Sequence, residues 1–289
     1  MRIHPQARIM VKEQACGALL VTGPEKIRCG YGNGDCLLID LKNAFFALSD
    51  SAERYSRASR DILERLCDVV KERGVPQQND EWLHVVNSVF AAQKYQHKAT
   101  FSLAAIRQTG VGSSICIING GDSEVAIVNK TTRRVEYRTE PNMNFAGRSK
   151  GISGVMEVSL QGDHYRLVMA SDGLADIARF CGEQVTDLVE SFLSHGPVHE
   201  IPEKLRDLII SAVSQGIAGN YDDIGVIVID PEALKRNTDV QLVMGGTNPS
   251  EEDAYQKDIR SSHLDGGWIS MESLPENAHY VAKCGIRVR

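Results

Sequence analysis

Three apolar segments of this 289-residue chain run into an aspartate. Phe45-Phe46-Ala47-Leu48-Ser49 ends on Asp50, and Leu167-Val168-Met169-Ala170-Ser171 ends on Asp172. Ile115-Cys116-Ile117-Ile118-Asn119 runs through two glycines to Asp122. A fourth segment reverses the order, with Asp222-Asp223 preceding Ile224-Gly225-Val226-Ile227-Val228-Ile229. A buried strand is a rigid arm that can hold a carboxylate where its neighbours would repel it. Carboxylates gathered together cannot all stay charged without compensation, and the usual compensation is a cation. All-oxygen ligands suit hard ions, so Mg²⁺ or Mn²⁺ is expected rather than zinc. Two such ions roughly 3.5–4 Å apart can hold a bridging water and make it a nucleophile at neutral pH. They also offset charge on a phosphoryl group in flight. The chemistry implied is hydrolysis of a phosphate ester with no covalent enzyme intermediate. A plainer reading stays open, because an aspartate at a strand end is commonly a turn residue or helix cap. Ser171-Asp172-Gly173 before a helix fits that reading too.

Other chemistries find less support. Gly30-Tyr31-Gly32-Asn33-Gly34 looks like a phosphate-cradling loop, but such a loop should open a helix. Here an apolar strand pattern, Cys36 to Ile39, follows, so a turn is expected. The eight histidines have neither metal-ligand spacing nor a triad context. Ser51 and Ser171 lie outside any Gly-x-Ser-x-Gly elbow. The seven cysteines are odd in number and irregularly spaced, which reads as reduced thiols, mostly small buried side chains. Arg54, Arg57 and Arg60 recur at helical spacing and read as a solvated face. One of them, or Arg148 or Lys150, could also meet a substrate phosphate.

The elements that must position the aspartates can be read from period and punctuation. Residues 36–49 form two short apolar runs split by Lys42-Asn43, a hairpin pattern. Residues 53–73 carry Ile62, Leu63, Leu66, Val69 and Val70 at helical spacing and stop at Gly74. A second helix is expected over 80–97. Strand patterns follow at 100–107, 113–119, 124–129, 134–138, 153–160 and 165–170, then helices at 183–194 and 202–217 and a strand at 224–229. This order suits an α+β fold of antiparallel sheets with helices packed outside, rather than repeated βαβ units. The expected organisation is a body over residues 1–235 and a polar extension over 236–289. Residues 245–265 read as a linker or loosely held tail, and His279 to Arg289 as one added strand. Hydrophobic residues make up 42%, enough for a sizeable core. A net charge of −6 argues against non-specific nucleic-acid binding. The N-terminus lacks the apolar stretch of a signal peptide, and no run approaches the roughly 18 apolar residues of a membrane span. A cytoplasmic protein with no membrane association is expected.

Taken in order, the aspartate segments resemble a known family. Phe45 to Asp50, Gly121-Asp122-Ser123, Ala170-Ser171-Asp172-Gly173-Leu174-Ala175-Asp176 and Asp222 to Val228 are similar to motifs of the metal-dependent protein Ser/Thr phosphatases, type 2C. The resemblance spans roughly residues 15–230. It implies an αββα sandwich, two stacked antiparallel β-sheets flanked by α-helices, with metals in a cleft at one edge. It further implies that Asp50 bridges two Mn²⁺ or Mg²⁺ ions, that Asp172 and Asp222 complete the first ion's protein ligands, and that Asp35 holds metal-bound water. Asp122 and Asp176 match positions that hold a third ion in some members. Asn142 to Gly151 would lie where the family has a mobile flap. The implied substrate is phosphoserine or phosphothreonine in a protein. Departures cluster at the second ion. Ser51 stands where the family usually has glycine and would offer its backbone carbonyl, with some crowding. Gly34 stands where an acidic ligand is common, and Ala52 where some members place histidine. The family's phosphate-binding arginine is not in its expected place, and Arg28 is a nearby substitute. These departures motivate the alternative of a catalytically weak or inactive regulatory or binding module on the same fold. A phosphatase for a small phosphorylated metabolite is a third reading.

Overall fold

Several strands show no alternation of buried and exposed residues: β2 (Cys16–Val21), β3 (Asp35–Asp40) and β11 (Ile224–Ile229) are buried at every position. A strand with water on one face would alternate. These strands therefore need cover on both faces, and the architecture supplies it. The computed structural model describes residues 8–52, 55–92, 97–149, 151–162, 164–215, 220–236, 241–251, 269–270 and 287–288.

Two seven-stranded sheets stack face to face. The first contains β1 (Arg8–Lys12), β2, β7 (Glu124–Asn129), β8 (Arg134–Arg138), β10 (Tyr165–Ala170), β11 and β13 (Ile269–Ser270), in the order β13-β1-β2-β11-β10-β7-β8. The second contains β3, β4 (Phe45–Asp50), β5 (Phe101–Gln108), β6 (Gly112–Gly120), β9 (Met156–Gln161), β12 (Gln241–Gly245) and β14 (Arg287–Val288), in the order β14-β12-β3-β4-β5-β6-β9. Every pairing is antiparallel except β1 with β13. This is the αββα sandwich expected from the sequence.

Successive side chains on a strand point to opposite faces. In β4, Phe46 and Leu48 enter the layer between the sheets, with Leu37, Ile39, Ile127, Leu167, Met169 and Ile227. Phe45 and Ala47 point outward under α2 (Arg57–Arg73) and α3 (Asn79–Ala91), against Ile62, Leu66, Trp82 and Val86. The other sheet is covered by α4 (Gly173–Phe180), a short α5 (Val185–Leu188) and α6 (Ile201–Ser214) through Leu174, Ile177, Leu205 and Ile209. Leu66 is fully buried on the α2 face, and truncating such a leucine to alanine costs about 2–5 kcal/mol. Helix α2 ends at Gly74, whose φ of 84° an L side chain would resist.

Some boundaries differ from expectation. The helix expected over 80–97 ends at Ala91, and residues 93–96 lie outside the described set. The expected helix at 183–194 is α5 continued by a π turn, Val189–Leu193. Strands β1 and β2 and the short helix α1 (Pro24–Cys29) were not anticipated. The sheet also continues past β11. β12, within the segment expected as an extension, pairs with β3 from Gln241↔Asp40 to Gly245↔Cys36, and its Leu242, Val243 and Met244 are buried. β14, from the region expected to add a strand, pairs with β12. Most of residues 252–289 lies outside the described set. No helix among the described residues is long and apolar enough to cross a membrane.

Candidate functional site

The β3–β4 hairpin sets Asp35 directly opposite Asp50. Its turn is held by Asp40, which accepts bonds from the backbone and side-chain nitrogens of Asn43 at 2.8 and 2.9 Å. In the other sheet, β10 pairs antiparallel with β11, with Ala170 opposite Val226. The end of β10 therefore lies beside the start of β11, which brings Ser171-Asp172 to Asp222-Asp223. The two sheets meet at this end: the Ser171 hydroxyl donates to Asp35 Oδ2 at 2.6 Å and accepts from Gly225 N at 2.8 Å. Helix α4 starts just after Asp172, packed so tightly that a Cβ on Gly173 would collide with the Asp223 backbone.

The electrostatics are dominated by buried carboxylates that outnumber the cation beside them, Lys26. Asp35 is 1% exposed, and its Oδ1 has no hydrogen-bond partner. Burial raises its carboxyl well above the usual range, reinforced by Asp50 and Asp223. Asp50 is raised well above that range by burial and then by Asp172, Asp222 and Asp223, with partial relief from Lys26. Asp172 is pushed up to about 6 by burial, then by Asp222, Asp122 and Asp176. Asp223, 2% exposed, is raised to about 7 by burial despite Lys26 and two backbone bonds. Those bonds come from Gly23 N at 2.7 Å and Gly34 N at 2.6 Å.

Lys26 and Asp223 are the residues that sequence reasoning did not single out. Lys26 is 5% exposed, with its ammonium 3.2 Å from Asp222 Oδ1 and 3.9 Å from Asp223 Oδ2. Alternation offered one signal for Asp223: of two adjacent aspartates entering a strand, one must face inward. Nothing in the local pattern marked Lys26. Arg28 is exposed and donates to Asn220 Oδ1 at 2.6 Å. Among the described residues, Lys26 is a cation turned into the cluster.

The Ser51 side chain is turned away into hydrogen bonds with neighbouring backbone. Its buried hydroxyl lies 2.9 Å from the Ser56 carbonyl and 3.1 Å from the Gly34 carbonyl, and its N–H donates to Gly34 O at 3.1 Å. Asp122 is exposed on the turn after β6. Asp176 accepts from Asp222 N at 3.1 Å and from Arg179 at 2.9 Å. The segment from Asn142 makes contacts at several points: Asn142 Oδ1 accepts from Gly121 N at 3.1 Å, Ala146 bridges Ala99, and the Lys98 ammonium lies 3.8 Å over the Phe145 ring. Arg60 corrects the expectation of a solvated arginine face. It is 4% exposed, bonded to Glu64 at 2.9 Å and to the Gly245 carbonyl at 3.1 Å, because β12 and its continuation pack over α2. Arg57 pairs with Glu251 at 2.8 Å. Arg54 and Lys150 lie outside the described residues.

Among the described residues, no group of three or more His, Cys, Asp or Glu side chains converges tightly enough to hold an ion as placed. Asp222 Oδ1 lies 3.2 Å from the Lys26 ammonium and accepts from the Asp223 N–H at 2.8 Å. The donor chemistry nonetheless suits a hard cation. The groups are all oxygen, four carboxyls are pushed toward protonation, and one buried oxygen is orphaned. A divalent ion would reverse each of those penalties.

No protein-family model matches the sequence, and no curated protein does. Solved structures do match. The photosystem II phosphatase PBCP is 21% identical with a TM-score of 0.56, covering 74% of this chain and 97% of its own. The PPM Ser-Thr phosphatase MsPP from Mycobacterium smegmatis, in complex with cacodylate, is 20% identical with a TM-score of 0.52, covering 75% and 97%. The catalytic domain of the serine threonine protein phosphatase PstP, in complex with two manganese ions, is 15% identical with a TM-score of 0.50, covering 68% and 91%. With its stacked antiparallel sheets, flanking helices and aspartates at the strand ends, this chain has the fold of the PPM-type, or type 2C, Ser/Thr phosphatases.

Proposed function

We propose that this chain is a metal-dependent phosphatase that hydrolyses phosphoserine or phosphothreonine in proteins. The observation that carries the reading is the set of mutually repelling carboxylates, Asp35, Asp50, Asp172 and Asp223, held at one end of a type 2C sandwich. Asp50, Asp172, Asp222 and the Ser51 carbonyl would hold two Mn²⁺ or Mg²⁺ ions, Asp35 would act through water, and Asp122 with Asp176 would serve a third. When bound, such ions supply an activated water and offset phosphoryl charge. The chain's own residues do the positioning. Ser171 ties Asp35 to the opposite sheet at 2.6 Å, and Asp223 fixes the Gly23 and Gly34 loops through their N–H groups. Lys26 keeps a positive charge beside Asp222, where it offsets the carboxylates and can attract an anionic substrate.

The experiment is hydrolysis of p-nitrophenyl phosphate and of a phosphoserine peptide with Mn²⁺, with and without EDTA. Mn²⁺-dependent turnover abolished by Asp172→Asn supports the reading, and full activity in EDTA refutes it. A second reading is a regulatory or binding module without turnover. It is favoured by Gly34, which brings no carboxylate to the second ion, and by Ala52, which brings no general acid. It predicts one bound ion or none at saturating Mn²⁺.

A further inference from the structure

The loop Asn33-Gly34-Asp35 carries an expected metal-site carboxylate on a glycine-containing turn, so its shape must be imposed from outside. Its backbone hydrogen bonds can be followed group by group. Gly34 N donates to Asp223 at 2.6 Å, Gly34 O accepts from Ser51 N at 3.1 Å, and Asp35 N donates to Asn33 Oδ1 at 2.8 Å. The remaining groups, Asn33 N, Asn33 O and Asp35 O, all bond to the strap that follows β12. Gly246 N donates to Asp35 O at 2.7 Å, and Thr247 N donates to Asn33 O at 3.1 Å. The Thr247 hydroxyl oxygen accepts from Asn33 N at 3.0 Å. Half of the loop's backbone polar groups thus depend on a segment more than 200 residues downstream, and buried groups of this kind are costly to leave unpaired.

The strap is built to reach that position. Gly245 and Gly246 have φ of 90° and 56°, which turn the chain off the sheet. A Cβ on Gly32 would collide with the Thr247 carbonyl, so the two backbones touch. The same carbonyl accepts from Ser56 Oγ at 2.5 Å, and the Ser56 carbonyl lies 2.9 Å from the Ser51 hydroxyl. Thr247 therefore touches the loop bearing Asp35 and, through Ser56, the residue expected to offer its carbonyl. Further out, Asn248 and Glu251 cap each other at 2.8 and 3.0 Å, and Glu251 pairs with Arg57.

We propose that Thr247 is a positioning residue for the candidate metal centre, setting its divalent-ion affinity from outside the ligand set. This rests on the metal-dependent reading above. Outer-shell partners of metal ligands typically change affinity by about 10–100-fold when removed. The test is isothermal titration of Mn²⁺ into the full chain and its variants, with melting temperatures in EDTA. Thr247→Val keeps the volume but loses the hydroxyl acceptor, and is expected to weaken Mn²⁺ binding about tenfold, or about 1.4 kcal/mol. Thr247→Ser should stay within about twofold of wild type. Thr139→Val is the control, because Thr139 accepts the Val125 N–H at 2.9 Å at a site not bonded to the Asn33–Asp35 loop. It should leave Mn²⁺ affinity unchanged. Unaltered binding by Thr247→Val overturns the proposal. So does a serine variant as weak as the valine, or an equal loss in Thr139→Val. Should Thr247→Val not fold, Glu251→Gln loosens the strap from its outer end, with an expected weakening of about threefold; no change there overturns the proposal. No Mn²⁺ uptake by wild type overturns the metal reading and this inference with it.

Discussion

An alanine at position 34 would place its Cβ 2.6 Å from the Ser51 carbonyl oxygen, 3.3 Å from Asp223 Oδ2 and 3.4 Å from Asp50 Oδ1. Ordinary contact begins near 3.4 Å, so the carbonyl must retreat by about 0.8 Å, and backbone does so reluctantly. The retreat strains the Ser51 N to Gly34 O bond of 3.1 Å and the Gly34 N to Asp223 bond of 2.6 Å. Overpacking costs about 1–3 kcal/mol and a bond to a charged group about 1.5–3, with overlap between them. A loss of about 3 kcal/mol is expected, which lowers the melting temperature by about 6–12 °C. Differential scanning calorimetry of Gly34→Ala in EDTA measures this, and Mn²⁺ titration reports the displaced Ser51 carbonyl as weakened binding. A variant that melts within about 1 °C of wild type would refute the steric reasoning. Gly34→Glu, which would restore the acidic ligand that the sequence resemblance leads one to expect there, meets the same carbonyl and is expected to lower stability and activity. Adding Ser51→Gly does not help, because the obstructing atom belongs to the backbone.

Three further outcomes are expected. In EDTA the protein should become more stable as pH falls from about 7 toward 5. Asp35, Asp50, Asp172 and Asp223 hold protons more tightly folded than at the ordinary value of 3.8, so in this window folding takes up protons and gains stability as they bind. Saturating Mn²⁺ should cancel the trend, and a melting temperature that falls steadily over this window in EDTA counts against it. Asp172→Asn should abolish Mn²⁺-dependent hydrolysis yet raise the metal-free melting temperature at pH 7.5, since it removes a carboxyl held near 6; a lower melting temperature would contradict that account. Lys26→Met should destabilise by about 1 kcal/mol at pH 7.5, because Asp222 and Asp223 lose their shared cation while Asp223, held near 7, can take up a proton instead. Denaturant titrations should show the loss shrinking near pH 5.5, where Asp223, ordinarily raised to about 7, is protonated.

The parts of this site that were legible in the sequence are those that a local pattern encodes. Asp50 and Asp172 follow apolar runs, Asp222 precedes one, and the hairpin punctuation at Lys42-Asn43 falls in the turn between β3 and β4. What was not legible depends on contacts made far along the chain. Gly34 and Asp223 are 189 residues apart, and Ser171 and Asp35 are 136 apart. No window of sequence reports such pairs. Lys26 shares this cause: a lysine in a short helix reads as solvated until the fold sets Asp222 and Asp223 beside it. Arg60 was misread because β12, which buries it, is only five residues long and follows a polar stretch.

The pairing of β12 with β3 has a consequence for the order in which the molecule assembles. β3 and its partner β4 are made early, but the other flank of β3 has no partner strand until Gln241–Gly245 emerges. At about 5–20 residues per second, that wait lasts roughly 10–40 s during synthesis. Meanwhile Leu37, Leu38 and Ile39 sit on an unpaired apolar edge, the kind of template on which strands of other chains add. A product cut short near residue 235 would keep that edge indefinitely and would lack the strap that braces Asp35. Nascent and truncated chains should therefore need shielding that the finished protein does not.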